Sequence, residues 1–229
     1  LYVELDGPDH EPDTLQAALD TVVARHDMLR VKIMNDGTQK VQPHPDTPIF
    51  SSLDLRDTND ATVAATLEDI RSEMSGQRAA ADLGRMIDVR LTRLPSGRAR
   101  LHVDFDMLAG DAMSYRIVLD DLAAVLTGEE LAPISSSFRE YLDAPEVTSP
   151  KNRERDQQWW AEQLATLPDP PKLPTYTGVP AHSVRPQRRH LFLDERQRAA
   201  LERHAQDNGV TPAAFLATAF AEAIGSFTT

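Results

Sequence analysis

From Leu101 to Phe105 apolar and polar positions alternate: Leu101, Val103 and Phe105 fall on one side, His102 and Asp104 on the other, with Asp106 continuing the polar row. That period of two is a strand with one face toward a core. Beyond it, Tyr115, Val118, Leu119, Leu122, Val125 and Leu126 recur at helical spacing, a core-facing stripe. Between the two runs lies Asp106-Met107-Leu108-Ala109-Gly110-Asp111, with Ser114 following at the helix start. A polar loop held between two apolar elements is where a scaffold usually displays its chemistry.

The same patterns order the rest of the chain. Leu1–Leu5 reads as a strand ended by Gly7-Pro8. Asp13 and Gln16 have capping-box spacing, ahead of a helix carrying Leu15, Ala18, Leu19, Val22, Val23 and His26 on one face. Met28–Met34, the turn Asn35-Asp36-Gly37 and Thr38–Gln42 predict a hairpin. A strand is expected at Ile49–Leu53, and Val63, Leu67, Ile70 and Met74 predict a helix over about 60–75. Met86–Leu94 and Ala99–Asp106 read as a second hairpin joined by Pro95-Ser96-Gly97.

The helix beginning near Asp111 is expected to stop at Gly128. Further helices are predicted at Ser135–Leu142, at Arg153–Leu164 with Trp159 and Trp160 anchoring it to the core, at Asp194–Gln206 and after Thr211-Pro212. The prolines of 167–186 mark a linker or surface crossing, and Gln187–Leu193 reads as a strand. Hairpins mixed with helices, without regular strand–helix alternation, predict an α+β fold with a mixed or antiparallel sheet flanked by helices.

Composition narrows what this fold does. With 36 acids against 24 bases the formal net charge is -12, which argues against nucleic acid and against an anionic membrane surface. There is no cysteine, so disulfides, thiolate catalysis and cysteine-bound zinc are excluded. No apolar run has the length of a bilayer span. The chain opens at Leu1 inside an expected strand, and we expect it to be a piece of something longer, with a cytoplasmic location.

The candidate chemistry is sparse. Asp106 and Asp111 read either as an acid/base or metal-binding pair or as an N-cap with a structural ion pair at a strand-to-helix turn, and spacing favours the second. Two carboxylates without phosphate-binding glycines are a thin case for a metal, and none is expected. Arg30 stands at the entry to a strand, where burial would demand an anionic partner. His26 reads as a general base or as a packed or capping residue at a helix end. Arg185, Arg188 and Arg189 form a basic patch that suits phosphopantetheine or an acidic carrier protein, or is ordinary surface charge. No Gly-rich phosphate loop, Gly-x-Ser-x-Gly elbow or His-Glu-x-x-His motif occurs.

Arg25-His26-Asp27-Met28-Leu29-Arg30, followed by Asp106-x-x-x-x-Asp111-x-x-Ser114, resembles the heterocyclization domains of nonribosomal peptide synthetases, within the condensation-domain superfamily. Ordinary condensation domains carry His-His-x-x-x-Asp-Gly at that loop. Asp36-Gly37-x-Gln39, Ser137-Phe138-x-x-Tyr141 and Trp159-Trp160-x-x-x-Leu164 extend the likeness over nearly the whole chain.

The resemblance implies a chloramphenicol acetyltransferase-like lobe, one of two in a V with the reaction in a tunnel between them. Residues 1–166 would be the N-terminal lobe, 167–186 the crossing and 187–229 the truncated start of the C-terminal lobe. A full domain would be roughly twice this length. The implied reaction joins a carrier-bound acyl donor to carrier-bound Cys, Ser or Thr and then cyclodehydrates the product to thiazoline or oxazoline, as in siderophore synthesis. No cofactor would be bound directly, the substrates riding on phosphopantetheine. The implied partners are the C-terminal lobe, the upstream and downstream peptidyl carrier proteins and the adjacent synthetase domains. The alternative is a non-catalytic lobe that binds carriers or scaffolds a synthetase.

Carried over by position, the motif residues are Asp106, Asp111 and Ser114. Asp106 would face the tunnel or be structural. Met107 replaces the histidine that is the usual candidate base, and methionine cannot move a proton. Asp111 would form a buried ion pair with Arg30, with Arg25 as fallback, whose rupture would cost on the order of 3–5 kcal/mol. Ser114 would cap the helix or bond within the loop.

Overall fold

The alternating run lies in β6 (Arg98–Phe105), an inner strand of a four-stranded sheet ordered β1-β6-β5-β4. The structure, a computed structural model, describes residues 1–77, 81–145, 149–173, 178 and 191–228. By internal packing the chain forms two compact units, Leu1–Ser149 and Pro150–Thr229.

In the first unit β1 (Tyr2–Pro8) and β5 (Ile87–Leu94) flank β6, both antiparallel to it, while β4 (Phe50–Asp54) runs parallel to β5. The sheet is therefore mixed, and α2 (Asp60–Met74) connects the parallel pair, as a parallel crossover requires. Registers Val3–Val103–Val89 and Leu5–Leu101–Leu91 place one apolar face across three strands. Against it pack α1 (Pro12–Arg25) and α3 (Ala112–Thr127), through the buried Leu15, Leu19, Val22, Tyr115, Val118 and Leu122. In α1 and α3 the apolar stripes read from the sequence are the ones buried in the core or packed against it.

The opposite face is polar, with Glu4, His102 and Arg90 in register. It is not solvated: His102 has no exposed surface. Arg71 of α2 grips Glu4 in a bidentate pair, Nε to Oε1 and Nη2 to Oε2 at 2.7 Å each, and Arg90 bonds Glu73 of the same helix at 2.8 Å. Gln77, just beyond α2, donates to Asp88 and Asp104 at 3.0 and 2.9 Å. Of the apolar residues that predict α2, Met74 alone is buried.

Several boundaries differ from the sequence reading. Helix α1 starts at Pro12, so the expected Asp13–Gln16 box does not form; Gln16 bonds Asp20 instead. Proline fits the first helical position because its missing N–H has no partner there anyway. Residues Asp27–Arg30 are a turn of 3-10 helix, and β2 is only Val31–Ile33, paired with β3 (Gln39–Val41). Gly37, at φ 81°, closes that hairpin. Helix α3 ends at Gly128, whose φ of 81° is the left-handed cap expected there. Helix α4 (Phe138–Asp143) is capped by Ser137 and Glu140.

In the second unit α5 spans Pro150–Leu164, α6 Glu195–Asp207 and α7 Pro212–Gly225. Asp194 caps α6, and the Thr211 hydroxyl caps α7 by accepting from Ala214 N at 3.1 Å. The ring of His204 meets Phe215 edge-on at 5.3 Å. Trp159 and Trp160 do not anchor α5 in a core: they meet edge-to-face at 4.9 Å, each more than half exposed. The basic patch Arg185, Arg188 and Arg189 lies outside the described residues, as do most of the 167–186 crossing and of the expected strand Gln187–Leu193; residues 191–193 are not in a strand. Among the described residues no helix is long and apolar enough to cross a membrane.

Candidate functional site

β6 stops because the chain turns at Asp106. Its backbone N–H still reaches Met86 O at 2.9 Å, while its Oδ1 accepts from Leu108 N at 2.8 Å and its carbonyl from Ala109 N at 2.9 Å. One carboxylate oxygen thus shapes the loop, and Oδ2 has no hydrogen-bond partner among the described residues. Met107 and Leu108 follow, both more than half exposed.

Asp111 ends the loop as the N-cap of α3. Its Oδ1 accepts from Met113 N at 3.0 Å, Ser114 N at 2.9 Å and Ser114 Oγ at 2.9 Å, and Ser114 Oγ accepts in return from Asp111 N at 3.3 Å. The Ser114 backbone bond first, then its hydroxyl, hold the Asp111 carboxyl below the usual carboxylate range. Gly110 makes this closeness possible: a Cβ there would stand 2.6 Å from Ser114 Cβ.

The expected Asp111–Arg30 ion pair is absent, and Arg25 does not replace it. Asp111 is exposed, and helix-start N–H groups and a hydroxyl already occupy its oxygen. Arg30 is buried and engaged elsewhere: Nε donates to Val23 O at 2.8 Å, Nη2 to Ala24 O at 3.0 Å and Asp27 Oδ1 at 2.7 Å, and Nη1 to Gln42 O. Its burial is matched mainly by carbonyl oxygens at the end of α1, with a local carboxylate.

Arg25 and His26 meet a carboxylate that sequence reasoning missed. Asp121, on α3, receives Arg25 Nε at 2.9 Å and His26 Nε2 at 2.7 Å on the same oxygen, Oδ2. The available signal was its place three residues after Val118, an acid beside an apolar stripe. A carboxylate that accepts from Arg25 needs a proton from the ring, so His26 carries it on Nε2. Its Nδ1 has no partner among the described residues.

Beside this cluster opens a pocket of about 270 Å³. Buried Leu29, Phe105 and Val118 line it together with half-exposed Ile117, Ile134 and Phe138, and its wall includes His26 and Ser114. The structure thus brings Ser114 and the end of α1 to one cavity. Asp106, Asp111 and Arg30 are not in its wall. Among the described residues no group of His, Asp or Glu side chains is arranged to hold a metal ion.

On the polar face, the single proton of the Tyr2 hydroxyl goes to Glu4 Oε1 at 2.8 Å, so the 2.7 Å contact with His102 Nδ1 is a bond donated by the ring. His102 Nε2 is left buried without a partner among the described residues. Burial pushes this histidine down to about 4, against the pull of Glu4. Burial also raises the Asp104 carboxyl above its ordinary value. These residues lie on the sheet face away from the pocket and explain fold rather than chemistry.

The family model for the condensation domain matches residues 1–229. Phenyloxazoline synthase MbtB of Mycobacterium tuberculosis is 44% identical over 230 residues, covering 98% of this chain and 16% of that protein. Pyochelin synthetase PchE of Pseudomonas aeruginosa is 33% identical over 227 residues, covering 96% of this chain and 15% of that protein. Among solved structures, the EpoB cyclization-docking bidomain of the nonribosomal peptide synthetase from Sorangium cellulosum matches with a TM-score of 0.79 and 29% identity, over 100% of this chain and 46% of that one. The chain therefore spans under a fifth of the curated relatives and about half of the structural neighbour.

Proposed function

The chain belongs to the condensation-domain family, and from that membership we propose that it is the N-terminal lobe of a heterocyclization domain of a nonribosomal peptide synthetase. One observation carries the reading: the loop between β6 and α3 bears Asp106, Asp111 and Ser114 and presents Met107 where a histidine base would stand. The likeness to a phenyloxazoline synthase and to a cyclization domain supports it.

In the reaction, the amine of a carrier-bound Cys, Ser or Thr attacks the thioester carbonyl of an acyl donor held on an upstream carrier. The C–N bond forms, the C–S bond breaks, and the phosphopantetheine thiol leaves with a proton. The side-chain thiol or hydroxyl then attacks the new amide carbonyl, and loss of one water leaves the thiazoline or oxazoline ring.

This lobe's residues contribute geometry to those steps. The Asp111–Ser114 box fixes where the loop enters α3, and Asp106 keeps Oδ2 available while Oδ1 shapes the turn. Met107 supplies no proton acceptor. The proton-moving groups belong to the C-terminal lobe, and the partners are that lobe, two peptidyl carrier proteins and the neighbouring synthetase domains.

The test is reconstitution of the two-lobed domain with acyl-loaded and cysteinyl-loaded carrier proteins. A product lighter than the open amide by one water supports the reading. Amide that stays open under all conditions sinks it in favour of plain condensation, and no amide at all favours a carrier-binding scaffold.

A further inference from the structure

A second cavity, of about 530 Å³, is lined by α1, by Arg30 and by the loop from Pro43 to Pro48, and it shares no wall residue with the cavity beside Ser114. Its volume lies within the roughly 300–1,000 Å³ of ordinary ligand sites. Buried Val23 and Ile49 give it apolar walls. Pro43, Pro45 and Pro48 fix φ along the loop, so the cavity is formed before anything enters it.

Two polar groups in this wall lack full partners. A guanidinium carries five N–H groups. Arg30, only 9% exposed, commits four of them, to the carbonyls of Val23, Ala24 and Gln42 and to Asp27, which leaves one Nη1 hydrogen without an acceptor among the described residues. The Thr47 hydroxyl is buried and has no partner among the described residues either. Buried polar groups are rarely left unsatisfied, and each of these can donate to an acceptor that enters the cavity.

Charge decides which acceptor that is. Asp20 and Asp46 stand in the same wall and oppose a carboxylate or a phosphate. An ammonium brings no acceptor and would meet the charge of Arg30. A neutral oxygen is left, and Asp20 extends the match. Its Oδ1 takes Gln16 Nε2 at 2.7 Å, while Oδ2 has no partner among the described residues and can accept an N–H. A neutral carbonyl beside an N–H is an amide. The cavity is larger than one amide group, and the exposed Pro43, His44 and Pro48 leave its rim open for a chain to pass. This chain covers only 16% of phenyloxazoline synthase MbtB, so a domain of this kind sits amid a long stretch of other polypeptide.

We propose that this cavity binds an uncharged, extended stretch of polypeptide from a neighbouring synthetase domain. One backbone carbonyl of that stretch accepts from Arg30 Nη1 and the Thr47 hydroxyl, and an adjacent N–H donates to Asp20. The source of the segment rests on the synthetase reading; the amide chemistry of the cavity does not.

The test titrates the full two-lobed domain with N-acetyl-alanyl-alanine methylamide, N-methylacetamide, acetate and butylammonium, following the NMR signals of Thr47 and of the Arg30 Nε–H. The capped dipeptide should shift both signals and bind more tightly than N-methylacetamide, while acetate and butylammonium shift neither. Thr47→Val and Asp20→Leu should each weaken dipeptide binding by about three- to tenfold. Thr47→Val should leave the urea midpoint of the free domain unchanged, since the hydroxyl it removes bonds nothing among the described residues. In the intact synthetase the amide hydrogens of His44, Asp46 and Thr47 should exchange at least about tenfold more slowly than in the two-lobed domain alone.

Acetate or butylammonium binding as tightly as the dipeptide, no shift with any probe, or a dipeptide affinity that neither variant changes overturns the proposal. So does a lower midpoint for Thr47→Val, which would mean that the hydroxyl serves the fold, or equal exchange in the domain and the intact synthetase. Ring closure is read separately, on the loss of water. A domain that dehydrates but binds no dipeptide fails this proposal alone, and one that binds the dipeptide but never dehydrates fails the heterocyclization reading alone.

Discussion

His26 and Asp121 lie 2.7 Å apart, Nε2 to Oδ2, across the gap between the end of α1 and the middle of α3. Arg25 binds the same oxygen, so one carboxylate joins the two helices that cover the apolar face of the sheet. All three side chains are largely but not fully buried, at 16–22% exposure, where a charged hydrogen bond keeps more of its strength than at the surface.

Asp121→Asn should therefore lower stability by about 1.5–3 kcal/mol, the range for hydrogen bonds to charged groups. Asp121→Ala should cost at least as much, because it also removes the side-chain oxygen with which asparagine could still accept from Arg25 or His26. Urea midpoints of the wild type and both variants check this, and an unchanged midpoint for Asp121→Asn would contradict it.

Asp111 and Arg30 should behave as independent sites. Asp111→Ala removes the N-cap of α3 and should lower the unfolding midpoint, while Asp111→Asn, an equally good cap, should hardly do so. Arg30→Met should destabilise through the unpaired carbonyls at the end of α1. The Asp111→Ala/Arg30→Met double variant should show the sum of the single effects. A strong coupling energy in that cycle would mean that the two side chains meet after all.

His102 should make stability depend on pH in mild acid. Its folded value of about 4 lies below the ordinary 6.5, so between those limits the unfolded chain binds the extra proton and the folded one does not. Stability should be full above about pH 6.5, fall as pH drops toward 4, and level off below. Converted from the shift, the loss is on the order of 3 kcal/mol at most. His102→Gln should flatten this slope. A wild type equally stable at pH 7 and pH 4.5 would show that His102 protonates freely in the fold.

Gly110→Ala should cost about 1–3 kcal/mol through overpacking against Ser114, whose Cβ would be met at 2.6 Å. The neighbour is a branch point near the helix backbone rather than a flexible tip, so it has little room to yield. The Gly110→Ala/Ser114→Gly pair should recover part of the loss, and thermal unfolding of the three variants reads it. No loss for the alanine variant would mean that the loop shifts freely.

How much of this was legible depended on the range of the interaction. The alternation of β6 and the stripe of α3 record burial on one side, so they predict which residues form the core. Gly37, Gly128 and Thr211-Pro212 mark turns and ends because their backbones have few alternatives. Met28–Arg30 read as strand by its apolar character, yet Arg30 folds its guanidinium back over the carbonyls of Val23 and Ala24, which makes a turn there. The Asp111–Arg30 pairing failed for a related reason: a carboxylate at a helix start finds N–H donors within three residues. Asp121 went unnoticed because its partners are about 95 residues away. Spacing along the chain carries no record of that distance.

The polar face under α2 has one more consequence. A helix resting on hydrocarbon can slip along its axis and still bury similar area, but α2 is keyed. Moving it by one turn, about 5.4 Å, would carry Arg71 off Glu4 and Glu73 off Arg90 at once. The crossover that sets β4 beside β5 therefore has a single seating, like a toothed rack rather than a greased rail. The edge of the sheet inherits that indexing.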